Sequence, residues 1–166
     1  MGLRADGPEA ASNYGGETFV SELIGVVGSR KGADLQQVKS FLMDLGEKYP
    51  DSILVSGGAL GVDSLAETTW QMFGGAVVSY RPIERSPGSF GIDVWELGGE
   101  RPRMYPLVDF PEFADYGSAC LARDTVIAEK VDRLAAFYCK GKSRGTQFTV
   151  EVTQGYGKPV YIFEAA

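Results

Sequence analysis

The sequence predicts an α/β domain built on an open parallel sheet of about five strands in the order 3-2-1-4-5, with helices on both faces and one irregular insertion. Short β-branched apolar runs alternate with longer amphipathic stretches, and the first two of these runs end in glycine-bearing turns. The third observation is compositional: 44% hydrophobic and 23% charged residues in a chain of 166 describe an ordinary globular core in one domain.

Residues 1–20, rich in Gly, Ala and small polar residues without an apolar period, read as a flexible tail, leaving 21–166 as a single domain. "ELIGVVGSR" is a first strand buried on both faces and closed by a Gly-Ser turn. In the next stretch Leu35, Val38, Leu42 and Leu45 recur at helical spacing and Pro50 supplies the stop, so this is an amphipathic helix. "SILVSGG" is the second strand, residues 64–73 the second helix, and "GAVVSYRP" the third strand. Residues 81–115 hold most of the prolines and five aromatic residues with no sustained period, which predicts an irregular lid-like insertion. Helical character returns in "YGSACLARDTVIAEKVD", then "DRLAAFYCKG" and "KPVYIF" read as the fourth and fifth strands. Between them, "GTQFTVEVTQGYG" alternates like a strand, but a parallel partner for the last strand needs a crossover of about a dozen residues, so a helix is predicted.

The chain has no histidine, which removes the usual general base and the commonest metal ligand. Cys120 and Cys139 form no C-x-x-C and read as reduced thiols, so neither a metal nor a cofactor is expected. No apolar run approaches the roughly 18 residues of a membrane span, which makes a cytoplasmic location the expectation. A net charge of −6 makes nucleic acid an unlikely partner, because such binding depends on neutralising phosphates. Yet "GSRKG" (28–32) and "KGKSRG" (140–145) hold five of the sixteen basic residues. Brought together, they would make one basic pocket for a small anion.

The stretch "ILVSGGALGVDSLAETTW" (53–70) raises the functional question, because glycines before a helix start can admit an anion to bare backbone. They can equally make a tight turn, with Ser64 and Glu67 as a capping box. In an open parallel sheet, ligands bind beyond the carboxyl ends of the strands where strand order reverses, here between strands one and four. The loops at that point are the two basic stretches, with the glycine loop beside them.

"GVVGSR", "SGGALGVDSLAE", "ARDTVIAEKVDRLAAF" and "GKSRGTQFTVEVTQGYGKPV", in this order, resemble the SLOG superfamily, which includes the DNA-processing protein DprA and the LOG phosphoribohydrolases. The resemblance covers about residues 23–164 apart from the insertion and is greatest to the small YspA-like and YpsA-related group. It implies a Rossmann-like fold that binds nucleotides or nucleotide-derived ligands. Two departures qualify it. The LOG pattern P-G-G-x-G-T-x-x-E is matched by "GKSRGTQFT", with Thr149 in the place of the glutamate, and DprA-like proteins carry Arg-Asn where this chain has Arg123-Asp124.

The expected ligand-binding residues are Gly28, Ser29 and Arg30 after the first strand; Gly57, Gly58, Gly61 and Asp63 after the second; Arg123 on the helix before the fourth; and Lys142, Arg144, Gly145 and Thr146 after it. Asp63 would bind a sugar hydroxyl or cap the helix, and Arg123 would meet an anion or solvent. Binding or sensing of a nucleotide-like small molecule is the first functional reading. The alternative is N-glycosidic hydrolysis of a nucleotide, with Asp63, Asp124 or Glu151 standing in for the missing glutamate. DNA binding ranks third, and a homodimer stays open as the assembly.

Overall fold

A computed structural model describes residues 22–98, 102–139, 141 and 143–165, so the expected tail and Lys142 lie outside the described residues. The elements are β1 (Leu23–Gly28), α1 (Leu35–Lys48), β2 (Ile53–Ser56), α2 (Val62–Met72), β3 (Ala76–Ser86), β4 (Ser89–Leu97), β5 (Arg103–Pro106), α3 (Tyr116–Lys130), β6 (Arg133–Cys139), α4 (Arg144–Gly155) and β7 (Val160–Ala165). They form one sheet in the order β5-β4-β3-β2-β1-β6-β7. Its five parallel strands, β3-β2-β1-β6-β7, have the expected 3-2-1-4-5 arrangement.

The difference lies in the insertion. Residues 81–115 are not irregular throughout: β3 runs on to Ser86, turns at Pro87-Gly88 and returns antiparallel as β4, with β5 added outside it. Among the described residues the sheet therefore has seven strands. Pro82 sits inside β3, opposite Ile92, and a proline within a run argues against a strand. The overlooked signal is the Pro-Gly dipeptide, with Gly88 at φ +76°, a frequent marker of a chain reversal.

Side-chain alternation along the central strands divides the core in two. Ile24, Val26, Ala135 and Phe137 meet Val38 and Leu42 of α1 and Ala66 and Trp70 of α2 on one face. Val27, Leu134, Ala136 and Tyr138 meet Ile127 of α3 and Val150 of α4 on the other. Each large apolar side chain fully buried here contributes about 1.5–3 kcal/mol. Leu35, expected on the buried stripe of α1, is instead 47% exposed at its first position.

Helix starts matter most for the site, because they fix the loops above the strands. Asp34 caps α1 by accepting the Gln36 and Gln37 N–H groups, and Asp115 caps α3 by accepting that of Ser118. Gly61 precedes α2 at φ +87°, where its N-cap position has no side-chain cap. The expected capping box does not form: Ser64 Oγ reaches back to the Gly61 carbonyl, while Glu67 points to Ser79 and Arg81.

Candidate ligand site at the switch point

The glycine loop after β2 approaches the protein's own side chains. A Cβ on Gly57 would collide with the Arg123 guanidinium and the Asp63 carboxylate, one on Gly58 with the Arg81 side chain, and one on Gly61 with the backbone of Ser29 and Arg30. The bare backbone lets two arginines and the β1–α1 loop close in. Asp63 Oδ2 accepts the N–H groups of Gly57 and Ala59 at 3.1 and 3.3 Å. From the other side, Arg123 Nη1 donates to the Gly57 carbonyl at 2.5 Å. Asp63 thus organises the loop ahead of its helix. On the far side of Gly58, Arg81 is fixed by Glu67 at 2.6 Å and by Ser79 at 2.9 Å.

Beside this clamped loop, at the carboxyl ends of β1 and β6, opens a cavity of about 530 Å³. That volume falls within the range of small-molecule sites. Gly28, Ser29, Arg30 and Lys31 from the β1–α1 loop form one wall, and Ser143 to Thr146 with Thr149 from α4 form another. Ala59 and Asp63 supply the floor toward α2; Cys120, Leu121, Arg123 and Asp124 of α3 close the third side. Arg30 and Lys31 of the first basic stretch and Arg144 of the second meet there, where strand order reverses. Two hydroxyls join the walls: Ser29 Oγ and Ser143 Oγ are 2.8 Å apart and both residues are buried, while Ser29 Oγ also accepts the Cys139 N–H at 3.1 Å. Ser143 is the N-cap residue of α4 but makes no side-chain cap. The N–H groups of Arg144, Gly145 and Thr146 precede the first intrahelical bond of α4, from Gln147 N–H to the Ser143 carbonyl, and helix geometry leaves such groups for a ligand or water.

The electrostatics are those of a basic mouth over a compensated floor. Arg30 and Arg144 are exposed at the rim. Arg123 and Asp124 form a buried ion pair at 2.6 Å, with side chains 10% and 11% exposed. Burial raises the Asp124 carboxyl above its ordinary range, against the pull of Arg123. Asp63, 4% exposed, is pushed up from 3.8 to about 7 because burial outweighs the attraction of Arg123. The cavity therefore holds a carboxyl that titrates near neutrality. It also presents four cationic side chains against two carboxyls.

Most of the expected residues meet here. Gly28, Ser29, Arg30, Asp63, Arg123, Arg144, Gly145 and Thr146 all line the cavity, and so does Asp124. Gly57, Gly58 and Gly61 stand behind the wall and shape it. Arg123 is buried, which excludes the solvent-facing alternative. Glu151 is exposed on α4 and does not reach the cavity. Sequence reasoning passed over Cys120, Leu121, Ser143 and Thr149. Their signal was helical phase: Cys120 lies four residues before Asp124, and Thr149 four after Gly145.

Fold and cavity together define a Rossmannoid α/β domain with a crevice at its topological switch point. No protein-family profile and no curated protein sequence matches the chain. Solved structures do. DNA processing protein A (DprA) from Streptococcus pneumoniae superposes with a TM-score of 0.63 at 19% identity, covering 86% of this chain and 50% of that one. A Helicobacter pylori DprA structure, described for its single-stranded DNA binding mode, gives 0.57 at 18% identity over 85% of this chain and 64% of that one. The molybdenum cofactor binding protein of Rippkaea orientalis gives 0.58 at 17% identity over 90% and 80%. The chain thus has the DprA-like Rossmannoid fold that the SLOG resemblance implied, and it spans about half to two-thirds of the DprA chains. The expectation that nucleic acid is an unlikely partner finds no support, because one protein with this fold binds single-stranded DNA. Among the described residues no helix is long and apolar enough to cross a membrane.

Proposed function

We propose that this protein binds a nucleotide or nucleotide-derived small molecule in the cavity between β1, α3 and α4, with the phosphate held by the start of α4 and the basic rim. The observation that carries the reading is convergence. Ser29, Ser143, the leading N–H groups of α4 and the guanidinium groups of Arg30 and Arg144 border one cavity. Backbone donors at a helix start favour an anion, and arginine supports it with charge-assisted bonds. The fold neighbour that binds a molybdenum cofactor supports a small ligand at this kind of domain. The greater likeness to the small YspA-like group belongs to the same proposal.

Arg30→Ala and Arg144→Ala test it by titration calorimetry with AMP and adenosine. Each lost charge-assisted bond should cost about 1.5–3 kcal/mol, roughly ten- to a hundredfold in affinity for AMP, with little change for adenosine. Equal losses for both ligands would place the phosphate elsewhere. N-glycosidic hydrolysis is the second reading, favoured by the near-neutral Asp63 carboxyl in the cavity. Against it, Thr149 replaces the glutamate of the LOG pattern and donates its hydroxyl to the Gly145 carbonyl. Free adenine accumulating in the AMP samples, and abolished by Asp63→Asn, would bring that reading forward.

A further inference from the structure

The β3–β4 hairpin and its return to α3 leave an aromatic pair beside the cavity that the anion-binding walls do not use. Tyr116 opens α3 one turn before Cys120, so the two share a helix face, and Cys120 and Leu121 line the cavity. The Tyr116 phenol is within electrostatic range of Cys120 and Arg123 on its own helix and of Arg30 on the opposite rim. Tyr116 thus stands beside the cavity, one helical turn from its lining residue Cys120, rather than in the lining itself. It is 46% exposed although it belongs to an ordered helix start.

Its orientation is fixed from behind. Phe90 of β4 meets Tyr116 edge-to-face, with ring centres 5.9 Å apart at 68°. Phe90 is itself locked by two backbone hydrogen bonds with Phe113, each 2.9 Å. Phe110 packs against Phe113 in turn, at 6.3 Å between ring centres. A satellite cluster that only covered the core would bury the tyrosine. Here the cluster holds one half-exposed aromatic ring a helical turn away from a cavity whose own lining contains no aromatic residue.

We propose that Tyr116, held from behind by Phe90 of the antiparallel hairpin, is the stacking platform for a planar heterocyclic base of the ligand, and that this ring favours base-bearing phosphates over sugar phosphates. The proposal rests on the reading of the cavity as a phosphate site. Stacking on an aromatic face is tolerant of base identity, so purine and pyrimidine monophosphates should both benefit.

Titration calorimetry with AMP and with ribose 5-phosphate, on the full chain and on Tyr116→Leu and Tyr116→Phe, tests it. Leucine keeps an apolar contact with Phe90 and removes the π face; phenylalanine keeps the face and removes the hydroxyl. Expected is a loss of about tenfold or more in AMP affinity for Tyr116→Leu. Ribose 5-phosphate should bind unchanged, and Tyr116→Phe should match the parent protein. Equal losses for both ligands, or an unchanged AMP affinity in Tyr116→Leu, would overturn the platform while leaving the phosphate site standing. A parent protein that binds neither ligand would remove both.

Discussion

Asp63 is 4% exposed, with two backbone N–H donors and a nearby guanidinium that do not fully offset the loss of water. Its value near 7 against 3.8 when unperturbed means that between these pH values the folded protein keeps a proton that the unfolded chain has released. Stability from this group is complete below 3.8 and is lost as the pH rises through about 7. Asp124 is shifted in the same direction and adds to the slope. Urea unfolding should therefore show stability falling from pH 5 to 8, and Asp63→Asn should flatten that fall. The asparagine can still accept from Gly57 and Ala59 without carrying charge. Identical slopes in both proteins would mean that Asp63 ionises in its ordinary range. None of this is visible in the sequence. Asp63 offers itself there as a cap or a sugar ligand, and its burial beneath Gly57 depends on Arg123, sixty residues away.

Among the elements, α4 shows tertiary demand overriding local propensity. Its Thr- and Val-rich sequence favours a strand, yet β6 and β7 are parallel neighbours and require the crossover that a helix provides. The topology argument was therefore readable from sequence. The β3–β4 hairpin was not, because Pro82 broke the pattern and both sheet faces are partly covered there, so no clean alternation remains. The first turn of α4 yields a sharp test. A Cβ on Gly145 would make only ordinary contact, 3.7 Å from Asp124 Oδ2, so a side chain is tolerated by the fold. Gly145→Val should leave the circular dichroism spectrum and melting temperature nearly unchanged, while its methyl groups intrude on the cavity and weaken AMP binding tenfold or more. Unaltered affinity in a folded variant would detach the α4 entrance from the phosphate.

At the scale of the whole molecule, the proposed phosphate site raises the question which phosphate-bearing partner a chain of net charge −6 would prefer. The basic side chains at the site are concentrated around one cavity of about 530 Å³, a volume suited to a mononucleotide. A polymer gains affinity by neutralising many phosphates along a track, and that gain is screened by salt. A mononucleotide depends on a few desolvated contacts, which salt weakens less. This distribution was legible in sequence through its two separated basic stretches, whereas the compensated Arg123–Asp124 floor was not. Thermal unfolding at about 0.15 M salt separates the partners. AMP at about a hundred times its dissociation constant should stabilise the protein by about 2.7 kcal/mol, raising the melting temperature by roughly 5–11 °C for a domain of this size. Adenosine at the same concentration should raise it less, and a single-stranded oligonucleotide should give a smaller shift that vanishes on adding salt. If the oligonucleotide instead stabilises more than AMP and keeps its effect at high salt, the cavity is an inlet on a nucleic-acid surface, as the single-stranded DNA binding of the Helicobacter pylori fold neighbour would allow.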